Sequence, residues 1–208
     1  MKYNGFYFWL FKGSMKKVLS EKYGSEYAAE VMKKSRVVYR ELVDKAEDIG
    51  DDNPMAYNEL FALAFVAPYV ASEKKIPPET VQEMMRRSLY RIKWYFGRTD
   101  LNTEKGKTEN KKNIVKYVRW YTQEKEMQYP NSFKVDFVGQ PHEGACYYRI
   151  TRCPICAYAE KLGVQELMPL FCELDAVMIT LQHGVLHREK TIASGGEYCD
   201  YYITGDKE

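Results

Sequence analysis

The sequence predicts an α+β fold, with a helical N-terminal half packed on a small antiparallel sheet in the element order β-β-α-α-β-β. Three observations carry this reading. Apolar residues recur at helical spacing to about residue 126, the period changes to two after Pro130, and two apolar helices separate two strand pairs in the last third.

The aromatic run from Phe6 to Phe11 is closed by Lys12 and lacks a small-residue cleavage site, so it does not read as a signal peptide. Ser14 is the expected N-cap of a helix to about Asp48, with Val18, Leu19, Val31 and Leu42 among its apolar positions and Gly24 as a point of interruption. Pro54, behind an Asn53 cap, opens a second helix to about Ser72, whose lack of charge between Leu60 and Val70 predicts burial on most sides. Pro78 opens a third, with Val81, Met84, Met85 and Leu89 in register. Asp100 to Lys111 is polar and reads as a loop, and Asn113 to about Glu126 as a fourth helix.

Beyond Pro130 the texture changes. Phe133, Val135 and Phe137 alternate with polar residues, a turn is expected at Pro141-His142-Glu143-Gly144, and Cys146, Tyr148 and Ile150 alternate in a second strand. Pro154 starts a short helix that Gly163 stops, and another covers about Pro169 to Gln182. Strands over Val185 to Ile192 and Tyr198 to Thr204, joined at Ser194-Gly195-Gly196, complete the order. The division expected is a helical region, 1–128, and an α+β region, 129–208, within one compact domain.

Composition narrows the function classes. A chain of 208 residues with 45% hydrophobic content and a net charge of +2 can bury a core and has no excess of base to demand nucleic acid. No stretch approaches the roughly 20 apolar residues of a spanning helix, so a cytoplasmic protein without a membrane partner is expected. Five cysteines, an odd number without an export signal, favour free thiols or metal ligands over a disulfide framework. Association of like chains stays open.

The residues with chemical potential lie between Ile150 and Ile203. Cys153 precedes Pro154 at a strand-to-helix junction, where unpaired N–H groups and the helix dipole favour a thiolate, and Arg152 adds to that field. A buried small residue at a tight junction would look the same. Cys153 and Cys156 form a CxxC, but an antiparallel hairpin precedes it rather than the βαβ unit of a redox fold. Zinc held by Cys153, Cys156, Cys172 and Cys199 or His187 lacks a second closely spaced pair, so no metal and no cofactor is expected.

Asp175 shares a helical stripe with Met168, Cys172 and Ile179 and is embedded among apolar neighbours. Such a carboxylate needs a partner, and Arg188 or Arg152 could supply it. His187, Arg188 and Thr191 fall on a strand with mixed faces, as at a lined pocket or an exposed edge. A guanidinium there suits a substrate carboxylate. On the last strand Cys199, Tyr201 and Ile203 point inward, and Tyr198, Asp200 and Tyr202 outward. His183 suits a helix C-cap.

The ordered set Cys-Pro at 153, Glu-Leu at 166, Cys-x-x-Asp at 172 to 175, His-Arg-x-x-Thr-Ile-Ala-x-Gly at 187 to 195 and Cys-Asp at 199 resembles the L-2-amino-thiazoline-4-carboxylic acid hydrolases. The resemblance is strong over the second half of the chain. It implies hydrolytic opening of a cyclic amidine-like ring to an N-carbamoyl amino acid. The catalytic residues expected are Cys153, Cys172, Asp175, His187 and Cys199, with either Cys153 or Cys199 as nucleophile. Arg152, Arg188, Thr191 and Asp200 are expected to bind the small-molecule substrate. The rival expectation is a small-ligand sensing module that uses the same pocket without turnover.

Overall fold

The computed structural model describes residues 2–137 and 146–208, so the turn expected at 141–144 lies outside the described residues. Where one N-terminal helix was expected there are two, α1 (Phe6–Tyr23) and α2 (Ser25–Lys45). Gly24 separates them at φ 88°, a conformation glycine adopts at no steric cost. The aromatic run supplies the first turns of α1, sending Phe8 and Phe11 into the core.

Helix α3 (Ala56–Ala71) is buried on most sides, as the lack of charge between Leu60 and Val70 predicts. It begins slightly later than expected because Asn53 Oδ1 accepts the Met55 N–H at 2.8 Å, so Pro54 stays in the preceding turn. Helix α4 (Pro78–Arg91) starts as expected and buries Val81, Met84, Met85 and Leu89 completely. A single turn, α5 (Lys93–Phe96), follows.

The expected loop at Asp100 to Lys111 is in large part helix, since α6 runs Glu104–Trp120. Thr103 caps it by accepting the Gly106 N–H at 3.0 Å. A Cβ on Gly106 would stand 1.8 Å from the Asp100 carbonyl oxygen, so this glycine serves close approach rather than a turn. The polar composition is a solvated helix face.

After α7 (Gln123–Gln128), strands β1 (Lys134–Asp136) and β2 (Cys146–Arg152) pair antiparallel. Helices α8 (Pro154–Lys161) and α9 (Met168–Thr180) come next, then β3 (Gly184–His187) and β4 (Cys199–Gly205). The sheet order is β1-β2-β4-β3, wholly antiparallel. Strand β3 is half the expected length, because the chain leaves the ladder after His187 and makes a 3₁₀ turn at Ile192–Ser194.

Tyr148, Ile150, Cys199 and Ile203 are buried on the inner sheet face, together with Leu101, Tyr117 and Ile179. Tyr158, Leu167, Met168 and Leu174 from α8, α9 and the segment between them share a second core with α1 to α4. Among the described residues, no helix is long and apolar enough to cross a membrane.

Glu59 is the one acid on α3, and it is 1% exposed with Oε2 lacking any hydrogen-bond partner. Desolvation raises its pKa to about 7. The folded chain therefore holds a proton that the unfolded chain releases from about pH 4.5 upward, and stability falls as pH rises from there to about 7. Glu59→Gln is expected to stabilise the protein by about 3 kcal/mol at pH 8 and by little at pH 4, read from urea unfolding at both.

Candidate active site

Helix α9 places Cys172 and Asp175 one turn apart on the side facing the sheet. Opposite them, β4 turns Cys199 and Tyr201 inward. Its register against β2 sets Tyr201 over Tyr148, with ring centroids 4.6 Å apart and planes within 10°. Close packing of β3 beneath α9 needs Gly184, where a Cβ would lie 2.4 Å from Leu101 Cδ1 and 2.9 Å from the Thr204 carbonyl.

Arg188, the first residue after β3, joins these elements. Its Nη2 donates to Asp175 Oδ2 at 2.9 Å and its Nη1 to the Cys172 carbonyl at 3.1 Å, while the guanidinium lies 4.4 Å above the Tyr201 ring centroid. Tyr201 also donates its hydroxyl to Asp175 Oδ2, at 2.8 Å. Arg188 Nε is buried and has no partner among the described residues. A buried donor without an acceptor carries a desolvation cost that an acceptor would relieve.

Burial raises the Asp175 pKa, against the opposing pull of Arg188 and Tyr201. Yet 26% of its side chain reaches solvent, compared with 10% for Arg188. The carboxylate is thus crowded by protein and still within reach of water. Burial, and then the charge of Asp175, hold the Tyr201 phenol neutral well past its ordinary range, so it remains a donor.

Cys153, Cys156, Cys172 and Cys199 are free thiols with different characters. Cys199 is held at about 7 by a hydrogen bond from Cys172, reinforced by the Ile192 N–H at 3.2 Å from Sγ and by the charge of Arg188. Cys172, as the donor, is pushed far up. Cys153 occupies the expected N-cap of α8 with Pro154 behind it. Its thiol is nevertheless driven up, first by hydrogen bonding to Cys156 and then by burial, so the helix dipole does not prevail.

Other expected residues stand apart from the cluster. His187 pairs with Tyr202 on the outer sheet face, its Nε2 3.0 Å from Thr204 Oγ1. Arg152 donates through Nε to the Ser132 carbonyl at 2.7 Å and also bonds the Tyr121 hydroxyl. Asp200 accepts the Lys190 N–H at 2.7 Å and the Glu189 N–H at 3.0 Å, and Thr191 caps the 3₁₀ turn, so both organise the loop that carries Arg188 and Ile192. Among the described residues, no group of His, Cys, Asp or Glu is arranged to hold a metal ion.

Tyr201 and the Ile192 amide were not anticipated as site groups. Alternation along β4 already aligned Tyr201 with Cys199, and that was the available signal. The amide had none, because it depends on the path of the loop.

Removing Asp175 strands the Arg188 charge in a mostly buried place. Asp175→Ala is expected to cost about 3 kcal/mol, the low end for a buried pair because solvent reaches the carboxylate, and Tyr201→Phe about 1–2 kcal/mol. Chemical denaturation of the two variants checks the order: equal losses would mean that the ion pair does not hold the site together.

Neither a curated protein nor a solved structure matches the chain. A family model does match, over residues 57–203, which takes in nearly all of α3 and of the sheet and every group of this cluster. The chain belongs to the L-2-amino-thiazoline-4-carboxylic acid hydrolase family.

Proposed function

We propose that the protein is a thiol-dependent hydrolase that opens the ring of a small cyclic amidine-like acid, such as L-2-amino-thiazoline-4-carboxylate, to the N-carbamoyl amino acid. The observation that carries this reading is the Cys199 sulfur, which accepts the Ile192 N–H at 3.2 Å and whose pKa is lowered by its neighbours, the Arg188 guanidinium among them. Of the two cysteines expected as nucleophile, it is the one whose surroundings favour the thiolate.

The reaction maps onto these groups. Cys199 thiolate adds to the ring carbon that bears two nitrogens and the sulfur, and the C–S ring bond breaks to release the substrate thiolate. Water then adds to the resulting isothiourea and expels Cys199, leaving a urea. Asp175 Oδ2 is taken by Arg188 and Tyr201, and the carboxylate as a whole faces the amidinium, whose positive charge it balances. Arg188 Nε, the buried donor without a partner, is the group that a substrate carboxylate oxygen would satisfy. Cys172 acts as the donor that sustains the thiolate. His187 has no step here, since it sits on the far face of the sheet.

Release of a titratable thiol from the L-thiazoline acid tests the reaction, and saturable binding without release would identify a sensing module instead. Cys199→Ser is expected to lower kcat by about a thousandfold or more, with folding intact by circular dichroism. Because the reactive form is the anion, kcat/KM should fall as pH drops through about 7 and level off above it. A rate that is flat from pH 5 to 9 would remove Cys199 from this role.

A further inference from the structure

Five large aromatic side chains of the helical half stand between 48% and 62% exposed: Phe6 and Trp9 on α1, Tyr90 on α4, and Trp94 and Tyr95 on α5. Because Phe8 and Phe11 turn α1 into the core, Phe6, Trp9 and Gly13 fall together on its outer stripe. Helices α1 and α4 run antiparallel. Lys22 Nζ meets Glu83 Oε2 at 2.8 Å and Tyr23 Oη lies 3.0 Å from Thr80 Oγ1 at one end, and towards the other a Cβ on Gly13 would stand 3.2 Å from Arg91 Nη1. That register carries Phe6 and Trp9 to the same end of the helices as Trp94 and Tyr95, which follow Arg91 in the chain.

The charge carried by these segments is of one sign. Residues 2–20 hold four lysines and no acid, and residues 84–99 five Lys or Arg and no acid, in a chain whose net charge is only +2. Farther from the rings the bases are neutralised, Arg87 by Glu21 and Glu83 and Lys22 by Glu83. Among the described residues, Lys12, Lys16, Arg91, Lys93 and Arg98 pair with no carboxylate. A second copy docking through the same face would set like charges together. Single-stranded nucleic acid needs open ring faces, yet Arg98 covers Trp94 at 4.9 Å, and the Trp94–Tyr95 and Tyr95–Phe96 pairs stand edge to face. Protruding rings among bases match the lipid–water interface, where Trp and Tyr settle at headgroup depth and anionic lipids attract Lys and Arg.

We propose that the exposed aromatic and basic end of α1, α4 and α5 is a docking surface for an anionic lipid bilayer, to which the protein attaches on one side. Trp9 and Trp94, the most exposed of the five rings, enter the headgroup layer, and Lys93 and Arg98 beside Trp94 meet the lipid phosphates. Attachment of this kind needs no spanning helix, so the expectation of no membrane partner, drawn from the length of apolar stretches, does not bear on it. It stands independently of the reaction proposed above, since none of these residues belongs to the Asp175–Arg188 cluster.

The test sediments the purified full chain with vesicles of phosphatidylcholine alone, or of phosphatidylcholine with about one-third phosphatidylserine, at low and at high salt. At low salt the anionic vesicles are expected to bind about tenfold more protein than the neutral ones, with most of the difference lost at high salt. Trp9→Ala combined with Trp94→Ala, and separately Lys93→Glu combined with Arg98→Glu, should each lower that binding about tenfold while circular dichroism stays as in the parent. Bromine on the lipid acyl chains should quench the tryptophan emission of the parent on anionic vesicles, a readout that needs no variant and decides alone if a variant fails to fold. Binding that is absent, equal on neutral and anionic vesicles, or unchanged in both double variants would overturn the proposal. So would a dimer in sedimentation velocity that both double variants dissolve, or capture of the chain by single-stranded oligouridylate in preference to the anionic vesicles.

Discussion

The ion pair between Asp175 and Arg188 is the constraint on which this polar cluster depends. It ties a helix to the loop leaving an edge strand. Asp175 keeps its place among apolar neighbours because it accepts from both a guanidinium and a phenol. Arg188 keeps its place because it also meets the Cys172 carbonyl and the face of Tyr201. Desolvating two charges is costly, so such a cluster is weak evidence for stability and better evidence for a geometry that is needed.

That geometry sets the character of the sulfurs. The cysteine best placed by local sequence, at a helix N-terminus, is the one that its neighbours suppress. Cys199, on a strand with no dipole to assist it, gains its anion from a thiol on α9, an amide on the 188–198 loop and a nearby cation. Partial charges of a helix end act over one turn and are outweighed by a direct hydrogen bond together with burial.

Much of this was legible before the structure. The switch of period near Pro130 located the sheet, and a carboxylate on the apolar stripe of α9 marked Asp175 and named Arg188 as a partner. What could not be read depended on single-residue register and on distant neighbours. His187 and Arg188 are adjacent, so only one can face inward, and composition does not say which. Arg152 shares a side with Ile150 on β2, but its long side chain is claimed by Ser132 and Tyr121, far away in sequence. The start of α6 was misread because a solvated helix face and a loop have the same polar composition.

Strand order has a further consequence. β4 lies between β2 and β3, so the backbone bearing Cys199 is bonded within the sheet on one side by β2 and, further along, on the other by β3. The sulfur is thereby fixed to the most constrained strand of the sheet, while α9 and the 188–198 loop supply most of the groups around it. Divergence within such a scaffold can proceed by altering the loop and the helix face, with the position of the sulfur left untouched. The position of the sulfur and the groups that surround it are thus carried by separable parts of the chain, free to change at different evolutionary rates.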